Sequence, residues 1–235
     1  MVKSIVFSDF DGTITWDDSN DFMTDNYGFG VEKRKEMNER VLRDEITFRD
    51  SFKMMLDSVK LPFEEAKKIL TENITLDPGF RPFYEWCLAN DVEVIILSSG
   101  MEPLIRALLT RLLGEELGSK IEIVSNSVDI RPDGTWEIIY HDDSGFGHDK
   151  SLEIEKWNAR VPEEERMFFY CGDGVSDLSA AEKTGLLFAK EGRDLIGYCD
   201  RQKIPYTVFK TFEDIHKKVE AIVTGKETMK SVSRV

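Results

Sequence analysis

The sequence predicts an α/β fold, in which a doubly wound, Rossmann-like parallel sheet forms the core and carries an inserted all-helical cap and a small β-hairpin. After residue 78, short apolar runs alternate with helical patterns, which is typical of parallel strands joined by crossover helices. Residues 18–74 contain helical patterns and no strand-like run, which indicates an insertion of helices alone. Alternating apolar residues flank a Pro-Asp-Gly turn at 132–134, which predicts the hairpin.

Each predicted strand is a short apolar run, and the first of them ends in the polar turn Asp9–Gly12. The predicted strands of the sheet are 2–7, 92–97, 121–124, 167–170 and 186–188. Helices are predicted up to Asn90, over 104–113 and 151–160, and from about Asp177 and Thr211. Thr211 is a residue type that caps helix N-termini, and the apolar residues after it form one stripe.

Breakers and changes of pattern set the boundaries of the cap. Helical patterns stop at Asp77-Pro78-Gly79, where proline and glycine interrupt a helix. The tail from Gly225 is polar, so we expect it to be frayed. The predicted organisation is a core of residues 1–15 and 78–225, a helical cap of residues 16–77 and a flexible tail of residues 226–235.

Composition and charge restrict the class of protein and its partners. The 235 residues are 41% hydrophobic, which is typical of a folded globular protein. The chain has 31 Lys and Arg against 45 Asp and Glu, and its net charge of −14 disfavours nucleic acid and anionic membranes as partners. The three cysteines are widely separated, which suggests neither a disulfide framework nor a zinc site. Without a signal-like start or a long apolar stretch, the expected location is the cytoplasm.

Two pairs of acidic residues follow predicted strands. Asp9 and Asp11 lie two residues apart at the end of the first strand, where alternate side chains share one face. Asp173 and Asp177 occupy a similar Asp-Gly turn after the strand at 167–170. Ligands bind beyond the carboxyl ends of parallel strands, and closely spaced carboxylates need a cation or a shared proton. Because oxygen ligands suit Mg²⁺, these acids predict a Mg²⁺ site.

Groups suited to a phosphoryl oxygen follow another predicted strand. Ser98, Ser99 and Gly100 end the strand at 92–97 and offer a hydroxyl and free backbone N–H groups. Lys150 offers a compact ammonium group that can neutralise part of the charge of a bound phosphate. Such local positive charge is needed because the overall charge of the chain opposes an anionic substrate.

These motifs, taken in order, resemble the four motifs of the haloacid dehalogenase (HAD) superfamily. They are DFDGTIT at Asp9–Thr15, SSG at Ser98–Gly100, Lys150, and GDGVSD at Gly172–Asp177, and they span most of the chain. The helical insertion after the first motif resembles the cap of the phosphoserine-phosphatase-like branch. The whole chain resembles a fungal group of sugar alcohol (polyol) phosphatases.

The resemblance implies a Mg²⁺-dependent phosphatase that forms an aspartyl-phosphate intermediate. It makes Asp9 the nucleophile, and it makes Asp11 first the general acid and then the general base. It implies that Mg²⁺ binds the Asp9 side chain, the Asp11 backbone carbonyl and Asp173, with Asp177 nearby. The phosphate-binding residues that it implies are Ser98, Ser99, Gly100 and Lys150.

The cap carries the prediction about the substrate. In phosphoserine phosphatases, the stretch that resembles residues 48–55 ends in an arginine that holds the substrate carboxylate, and here that position is Met55. The resemblance therefore favours small polyol or sugar phosphates, with Asp18 and either Arg49 or Lys53 as partners of the hydroxyl groups. Arg34 is interpreted as part of a solvated helix surface.

Alternatives remain open at this point. The substrate of a phosphatase of this branch is alternatively phosphoserine or a methionine-salvage diketo-sugar phosphate. A phosphomutase would pass the phosphoryl group to a second sugar, and a non-enzymatic protein would bind a phosphorylated ligand without turnover. Release of free phosphate distinguishes the predicted phosphatase from both.

Overall fold

Seven strands form one sheet with helices on both faces. A computed structural model describes residues 2–233, so residue 1 of the predicted core and residues 234–235 of the predicted tail lie outside the described residues. The strands are β1 (Lys3–Ser8), β2 (Val92–Met101), β3 (Glu122–Ile130), β4 (Trp136–Ile139), β5 (Arg166–Gly172), β6 (Leu186–Lys190) and β7 (Thr207–Phe209). Their order is β4-β3-β2-β1-β5-β6-β7, and only β3 and β4 are antiparallel neighbours.

Within residues 2–233, five helices lie between β1 and β2, and six follow β2. The helices are α1 (Ser19–Tyr27), α2 (Val31–Leu42), α3 (Phe48–Ser58), α4 (Phe63–Asn73), α5 (Phe80–Ala89), α6 (Glu102–Leu113), α7 (Glu115–Gly118), α8 (Lys150–Arg160), α9 (Asp194–Gln202), α10 (Phe212–Val223) and α11 (Met229–Val232). Within residues 2–233, no helix is long and apolar enough to cross a membrane.

The alternation of side chains along the strands produces two apolar clusters, one on each face of the sheet. Val6 of β1 packs in the cluster that contains the buried residues of α5, α6 and α10. Its neighbours Ile5 and Phe7 pack in the other cluster, with Ile154 of α8 and Leu195 of α9. Because successive strand residues point to opposite faces, helices on both sides cover the sheet, which is the doubly wound arrangement.

Helices α1 to α4 pack against one another and form the cap. Asp18 caps α1 by accepting from the backbone N–H groups of Asn20 and Asp21. The chain enters and leaves the cap at adjacent points, because the Trp16 N–H donates to the Thr75 carbonyl at 2.8 Å. An isolated antiparallel bridge between Thr15 and Leu76 completes this junction.

Several elements differ from the sequence prediction: α7, α9 and β7 were not predicted, and three further differences concern β3, the turn after Asp173 and the tail. The strand predicted to end at Val124 continues to Ile130, because the first part of β3 pairs with β2 and its second part pairs with β4. The α-helix predicted from about Asp177 is absent: a 3₁₀ turn forms at Val175–Asp177, turns follow it, and the next helix is α9, which begins at Asp194. Part of the predicted flexible tail forms α11, in which Val232 is buried and its carbonyl accepts from the Thr207 hydroxyl at 2.8 Å.

Candidate active site

Three neighbouring strands bring the predicted site residues to one edge of the sheet. The last residue of β1 lies opposite Ile96 of β2 and Cys171 of β5, so the three strands reach this edge together. Asp9 and Asp173 directly follow β1 and β5, and Ser98 lies within β2, near its end. All three line one cavity of about 220 Å³, which is also lined by residues of the cap.

Lys150 connects the nucleophile candidate with the second acidic motif. Its side chain is fully buried, and its ammonium group donates to Asp9 Oδ1 at 2.8 Å, to Asp177 Oδ1 at 2.7 Å and to Ser176 Oγ at 3.2 Å. Burial alone would lower the pKa of Lys150, but the two carboxylates outweigh this effect and raise the pKa above its ordinary value. The ammonium group is therefore charged at neutral pH.

Asp9, Asp173 and Asp177 form a carboxylate cluster, in which one oxygen of each residue lies within 4.8 Å of the others. Asp177 is held in place, because its Oδ2 accepts from the N–H groups of Asp173 and Gly174 at 2.9 and 3.0 Å. Tyr170 also donates to Asp177 Oδ1. Carboxylates at this spacing repel one another unless a cation lies between them, and a set of oxygen ligands suits Mg²⁺. The residues present therefore fit a Mg²⁺ ion.

Gly12 allows the first and last motifs to approach each other. Its φ of +73° lies in the region that favours glycine, and a Cβ atom there would lie 2.5 Å from Asp173 Oδ2. Any side chain at this position would displace the Asp173 carboxylate from the cluster.

Burial and mutual repulsion disfavour the ionised forms of this cluster when no cation compensates them. Burial raises the pKa of Asp9 to about 7, although the Lys150 ammonium group acts in the opposite direction. Burial, followed by the charges of Asp9 and Asp177, raises the pKa of Asp173 well above its ordinary value. A cation would favour the ionised carboxylates, so its binding is coupled to proton release.

The cap holds the side chain of Asp11. The Ser19 N–H donates to Asp11 Oδ1 at 2.8 Å, and the Asn20 side-chain amide donates to Oδ2 at 3.0 Å. Burial, together with the nearby charge of Asp18, raises the pKa of Asp11 well above its ordinary value. Asp11 is therefore able to carry a proton at neutral pH, which a general acid must do.

The segment Ser98–Gly100, here called the phosphate loop, presents polar groups to the cavity. The Gly100 N–H donates to Ser98 Oγ at 3.0 Å. The Ser99 hydroxyl is buried at the cavity wall and has no hydrogen-bond partner within residues 2–233. A buried hydroxyl without a partner is costly, so this group is suited to a ligand oxygen.

The cap side of the cavity combines charged, amide and apolar side chains. Arg34 of α2 donates to Asp25 at 2.7 and 2.8 Å and forms an ion pair with Asp21 at 2.7 Å. Asp18 and Asn38 line the cavity with Arg34. The apolar part consists of Phe48, Phe52 and Met55.

Arg49 and Lys53 differ from the sequence prediction, because neither residue lines this cavity. Arg49 donates to the Asp142 carbonyl at 2.9 Å, and its guanidinium group lies 4.5 Å from the ring centre of Tyr140. Lys53 pairs with Asp57 and, at 3.0 Å, with Glu137 of β4. Both cations of α3 thus fasten the cap to the region around the hairpin. Periodicity alone does not reveal that this surface of α3 faces the hairpin.

Comparisons with known proteins agree with this geometry. Residues 6–182 match the family model of the haloacid dehalogenase-like hydrolases. The chain belongs to this family. This hydrolase is 59% identical to Pdp3-interacting factor 1 of Schizosaccharomyces pombe, over 92% of this chain and 95% of that protein. It is 50% identical to polyol phosphate phosphatase PYP1 of Saccharomyces cerevisiae, over 97% of this chain and 98% of that protein.

A solved structure shares the fold of this hydrolase. It is a phospho-aspartyl intermediate analogue of phosphoserine phosphatase, with a TM-score of 0.69 and 19% identity over 93% of this chain and 99% of that one. The HAD family, the α/β fold and the phosphatase class predicted from the sequence are confirmed. The roles assigned to individual residues stay predictions.

The sequence reasoning missed several polar residues of the cavity wall, among them Asn20, Arg34, Asn38 and Arg193. Arg34 was interpreted as a solvated residue, but its side chain is only 14% exposed. Arg34 and Asn38 are four residues apart, which places them on the same face of α2. This spacing was the available signal, although it does not say which face of the helix meets the core.

Proposed function

We propose that this hydrolase is a Mg²⁺-dependent phosphatase that forms an aspartyl-phosphate on Asp9 and acts on small polyol or sugar phosphates. The observation that carries the proposal is the contact of Asp9 with the buried, charged Lys150, beside an Asp11 whose pKa is raised. A carboxylate nucleophile, a fixed cation and a proton carrier are the groups that phosphomonoester hydrolysis requires.

In the first step, an oxygen of the Asp9 carboxylate attacks phosphorus and the bond between phosphorus and the ester oxygen breaks. Asp11 gives its proton to the departing oxygen, so the leaving group departs as an alcohol. The phosphate loop and Lys150 bind the phosphoryl oxygens during the transfer. In the second step, Asp11 takes a proton from water as that water attacks phosphorus, which releases phosphate and restores Asp9.

Mg²⁺ would be held by the side chains of Asp9 and Asp173 and by the Asp11 backbone carbonyl. When bound, it would offset the negative charge of the carboxylates and of the phosphoryl group. Asp177 lies in the same carboxylate cluster, and its hydrogen bonds to backbone N–H groups and to Lys150 fix its position. We therefore propose that Asp177 keeps Lys150 and the Asp173 turn in place beside the ion.

The cap wall supports a neutral leaving group that is rich in hydroxyl groups. Both arginines of the cavity wall face carboxylates: Arg34 faces Asp21 and Asp25, and Arg193 lies 3.9 Å from Asp173. A substrate carboxylate would have to compete with these acids for a cation. Hydroxyl groups, in contrast, both donate to carboxylates and accept from arginine and asparagine side chains.

Two further observations support this substrate class. Met55 lies in the cavity wall. By the resemblance described above, phosphoserine phosphatases have at this position an arginine that holds the substrate carboxylate. The relative from Saccharomyces cerevisiae, at 50% identity, is a polyol phosphate phosphatase by name. We propose that Asp18, Arg34 and Asn38 contact the hydroxyl groups of the leaving group.

Phosphate release from a panel of phosphorylated compounds in Mg²⁺ tests the proposal. The panel contains polyol phosphates, sugar phosphates and phosphoserine, and we expect the polyol or sugar phosphates to have the highest kcat/KM. A preference for phosphoserine would contradict the assigned substrate class. Formation of an isomeric sugar phosphate without free phosphate would identify a mutase instead.

The Asp9→Asn variant tests the nucleophile. We expect it to lose nearly all phosphate release while keeping the thermal stability of a folded protein. Asp143→Asn is the matched control, because the Asp143 side chain is fully exposed and lies outside the cavity wall. Activity of Asp9→Asn close to that of the control would contradict the aspartyl-phosphate mechanism.

A further inference from the structure

The backbone of the phosphate loop is held by two buried side chains that do not line the cavity. Its first two carbonyl groups, those of Ser98 and Ser99, accept hydrogen bonds from two buried side chains. His148 Nδ1 lies 2.8 Å from the Ser98 oxygen, and the Asn126 amide donates to the Ser99 oxygen at 2.7 Å. His148 is 1% exposed and Asn126 is 0% exposed, so water does not compete for these contacts.

We propose that His148 and Asn126 are positioning residues for phosphoryl transfer, which hold the carbonyl groups of the phosphate loop away from the substrate. The inference rests on the proposed function, in which the loop binds the phosphoryl group. It goes beyond that function because neither residue lines the cavity or contacts the reacting atoms.

The physical reason lies in the two ends of a peptide group. A backbone N–H attracts a phosphoryl oxygen, whereas a carbonyl oxygen in the same place repels it. The orientation of a peptide plane therefore decides whether the loop binds or rejects an anion. Two hydrogen bonds to consecutive carbonyl groups fix the orientation of the two peptide planes that carry the N–H groups of Ser99 and Gly100, before the substrate arrives.

The proton arrangement on His148 follows from its partner. A carbonyl oxygen only accepts, so Nδ1 must carry the hydrogen in this contact. His148 Nε2 is buried and has no hydrogen-bond partner within residues 2–233, which disfavours a second proton there. The neutral ring with hydrogen on Nδ1 is the form that holds the loop. Its ring lies 4.6 Å from that of the exposed His141.

Both positioning residues belong to segments that are fixed independently of the substrate. The Asn126 side-chain oxygen accepts from the His141 N–H at 2.8 Å, which sets the direction of its amide. Asp142 accepts from the Asp149 N–H at 2.7 Å, which fixes the chain between His148 and Lys150. The three-residue segment His148–Lys150 thus joins the contact with the phosphate loop to the contact with Asp9.

A set of substitutions at these positions tests the inference. His148→Leu removes the donor and keeps the volume similar, whereas His148→Asn keeps a donor at the atom next to Cγ, where Nδ1 lies in histidine. Asn126→Asp keeps the acceptor for the His141 N–H but loses the donor to Ser99. His141→Ala is the matched control, because it keeps the His141 N–H and removes only an exposed ring.

The measurements are kcat and KM with the preferred phosphomonoester, and the dissociation constants of inorganic phosphate and orthovanadate with Mg²⁺ present. We expect His148→Leu and Asn126→Asp to lose about 10- to 100-fold in kcat/KM and to bind orthovanadate more weakly by a similar factor. His148→Asn should retain activity within about threefold, and His141→Ala should match the wild type.

Circular dichroism and thermal unfolding identify variants that do not fold. If His148→Leu does not fold, the inference is still supported when Asn126→Asp has a reduced kcat/KM and a weaker affinity for orthovanadate while His148→Asn stays active. Equal loss in His148→Leu and His148→Asn, or unchanged orthovanadate affinity in a folded His148→Leu and Asn126→Asp, would overturn it. If the wild type binds orthovanadate but releases no phosphate, the proposed function is contradicted. The positioning role is then still decided by comparing the orthovanadate affinities of the wild type and the variants.

Discussion

At the scale of single residues, Lys150 connects the two acidic motifs of the site. Its ammonium group donates to Asp9, Ser176 and Asp177. It places a positive charge beside these carboxylates, in a chain whose net charge is −14. Removing one member of a buried ion pair is costly, because the remaining charge loses its partner. Lys150 is therefore important for stability as well as for the proposed chemistry.

We expect Lys150→Met to unfold more easily, by about 3–5 kcal/mol, because Asp9 and Asp177 lose their buried partner. We also expect kcat to fall by about 100- to 1,000-fold, because a fixed cation beside the phosphoryl group is lost. Urea unfolding and phosphate release measure the two effects. Lys183→Met is the control, since Lys183 forms an exposed pair with Glu155, and equal effects in both variants would contradict the assignment.

Asn20 permits a more selective test. Its amide fixes one oxygen of Asp11, so Asn20→Ala should lower kcat by about tenfold and change KM less, because proton transfer suffers more than binding. Asn26→Ala is the control in the same helix, since the Asn26 amide donates to the Phe22 carbonyl on an exposed surface. A change in KM alone would indicate that Asn20 binds substrate and does not hold Asp11.

The sequence predicted the core residues of the site better than its cap residues. Asp9 and Asp173 follow the ends of β1 and β5, and Ser98 lies near the end of β2. Parallel strands bring their carboxyl ends to one edge whatever the details of packing. The position of Arg34 depends on how α2 rotates against its neighbours, which helical periodicity does not determine. The rotation of α3 is equally undetermined by periodicity. Arg49 was therefore predicted to contact the substrate, whereas in the structure it contacts Asp142 and Tyr140.

At the scale of secondary-structure elements, the first two helices of the cap carry the polar wall of the cavity. Arg34 on α2 is tied to Asp21 and Asp25 on α1, so a hydroxyl group bound there would contact both helices. Selectivity would then depend on the pairing of two elements. The chemistry, in contrast, would depend on the strand ends of the core.

Arg34→Ala tests this division of roles. We expect kcat/KM for the preferred polyol or sugar phosphate to fall by about 10- to 100-fold, because charge-assisted hydrogen bonds to the leaving group are lost. A minimal aryl phosphate, which lacks hydroxyl groups on the leaving group, should be affected much less. Arg40→Ala is the control on the same helix, since Arg40 pairs with Glu45 outside the cavity wall. Equal losses for both substrates would contradict a role in selectivity.

Element boundaries show which parts of the fold need tertiary information. The alternation at Val128 and Ile130 correctly indicates extended chain, but it does not show that β3 serves the parallel sheet and the hairpin in succession. The turn after Asp173 was predicted to open an α-helix. Hydrogen bonds from Asp173 and Gly174 to the Asp177 carboxylate hold a tighter 3₁₀ turn there.

At the scale of the whole molecule, the proposed Mg²⁺ site would link metal binding to stability. Mg²⁺ that binds only the folded protein should raise the thermal unfolding midpoint by about 5–10 °C at roughly 100 times its dissociation constant. Differential scanning fluorimetry with Mg²⁺ or a chelator measures this shift. Asp173→Asn should reduce it strongly, and a full shift in that variant would contradict the proposed ligand set.

The same cluster gives the shift a pH dependence of known sign. Burial raises the pKa of Asp9 to about 7 and raises that of Asp173, so protons occupy the carboxylates at lower pH when no cation is bound. Mg²⁺ must displace these protons, and its apparent affinity should increase as the pH rises from 6 to 8. Calorimetric titrations in buffers of different ionisation enthalpy would reveal the released protons. An affinity that is independent of pH would contradict this coupling.

The junction at which the chain enters and leaves the cap has a consequence for how such enzymes diversify. Trp16 and Thr75 are joined by one backbone hydrogen bond, so the intervening helices form a contiguous segment whose two ends meet. A segment with adjacent ends can be lengthened, shortened or exchanged for another without changing the path of the core strands. New substrates can therefore be acquired by replacing one stretch of sequence, while Asp9 and Lys150 of the core are inherited unchanged.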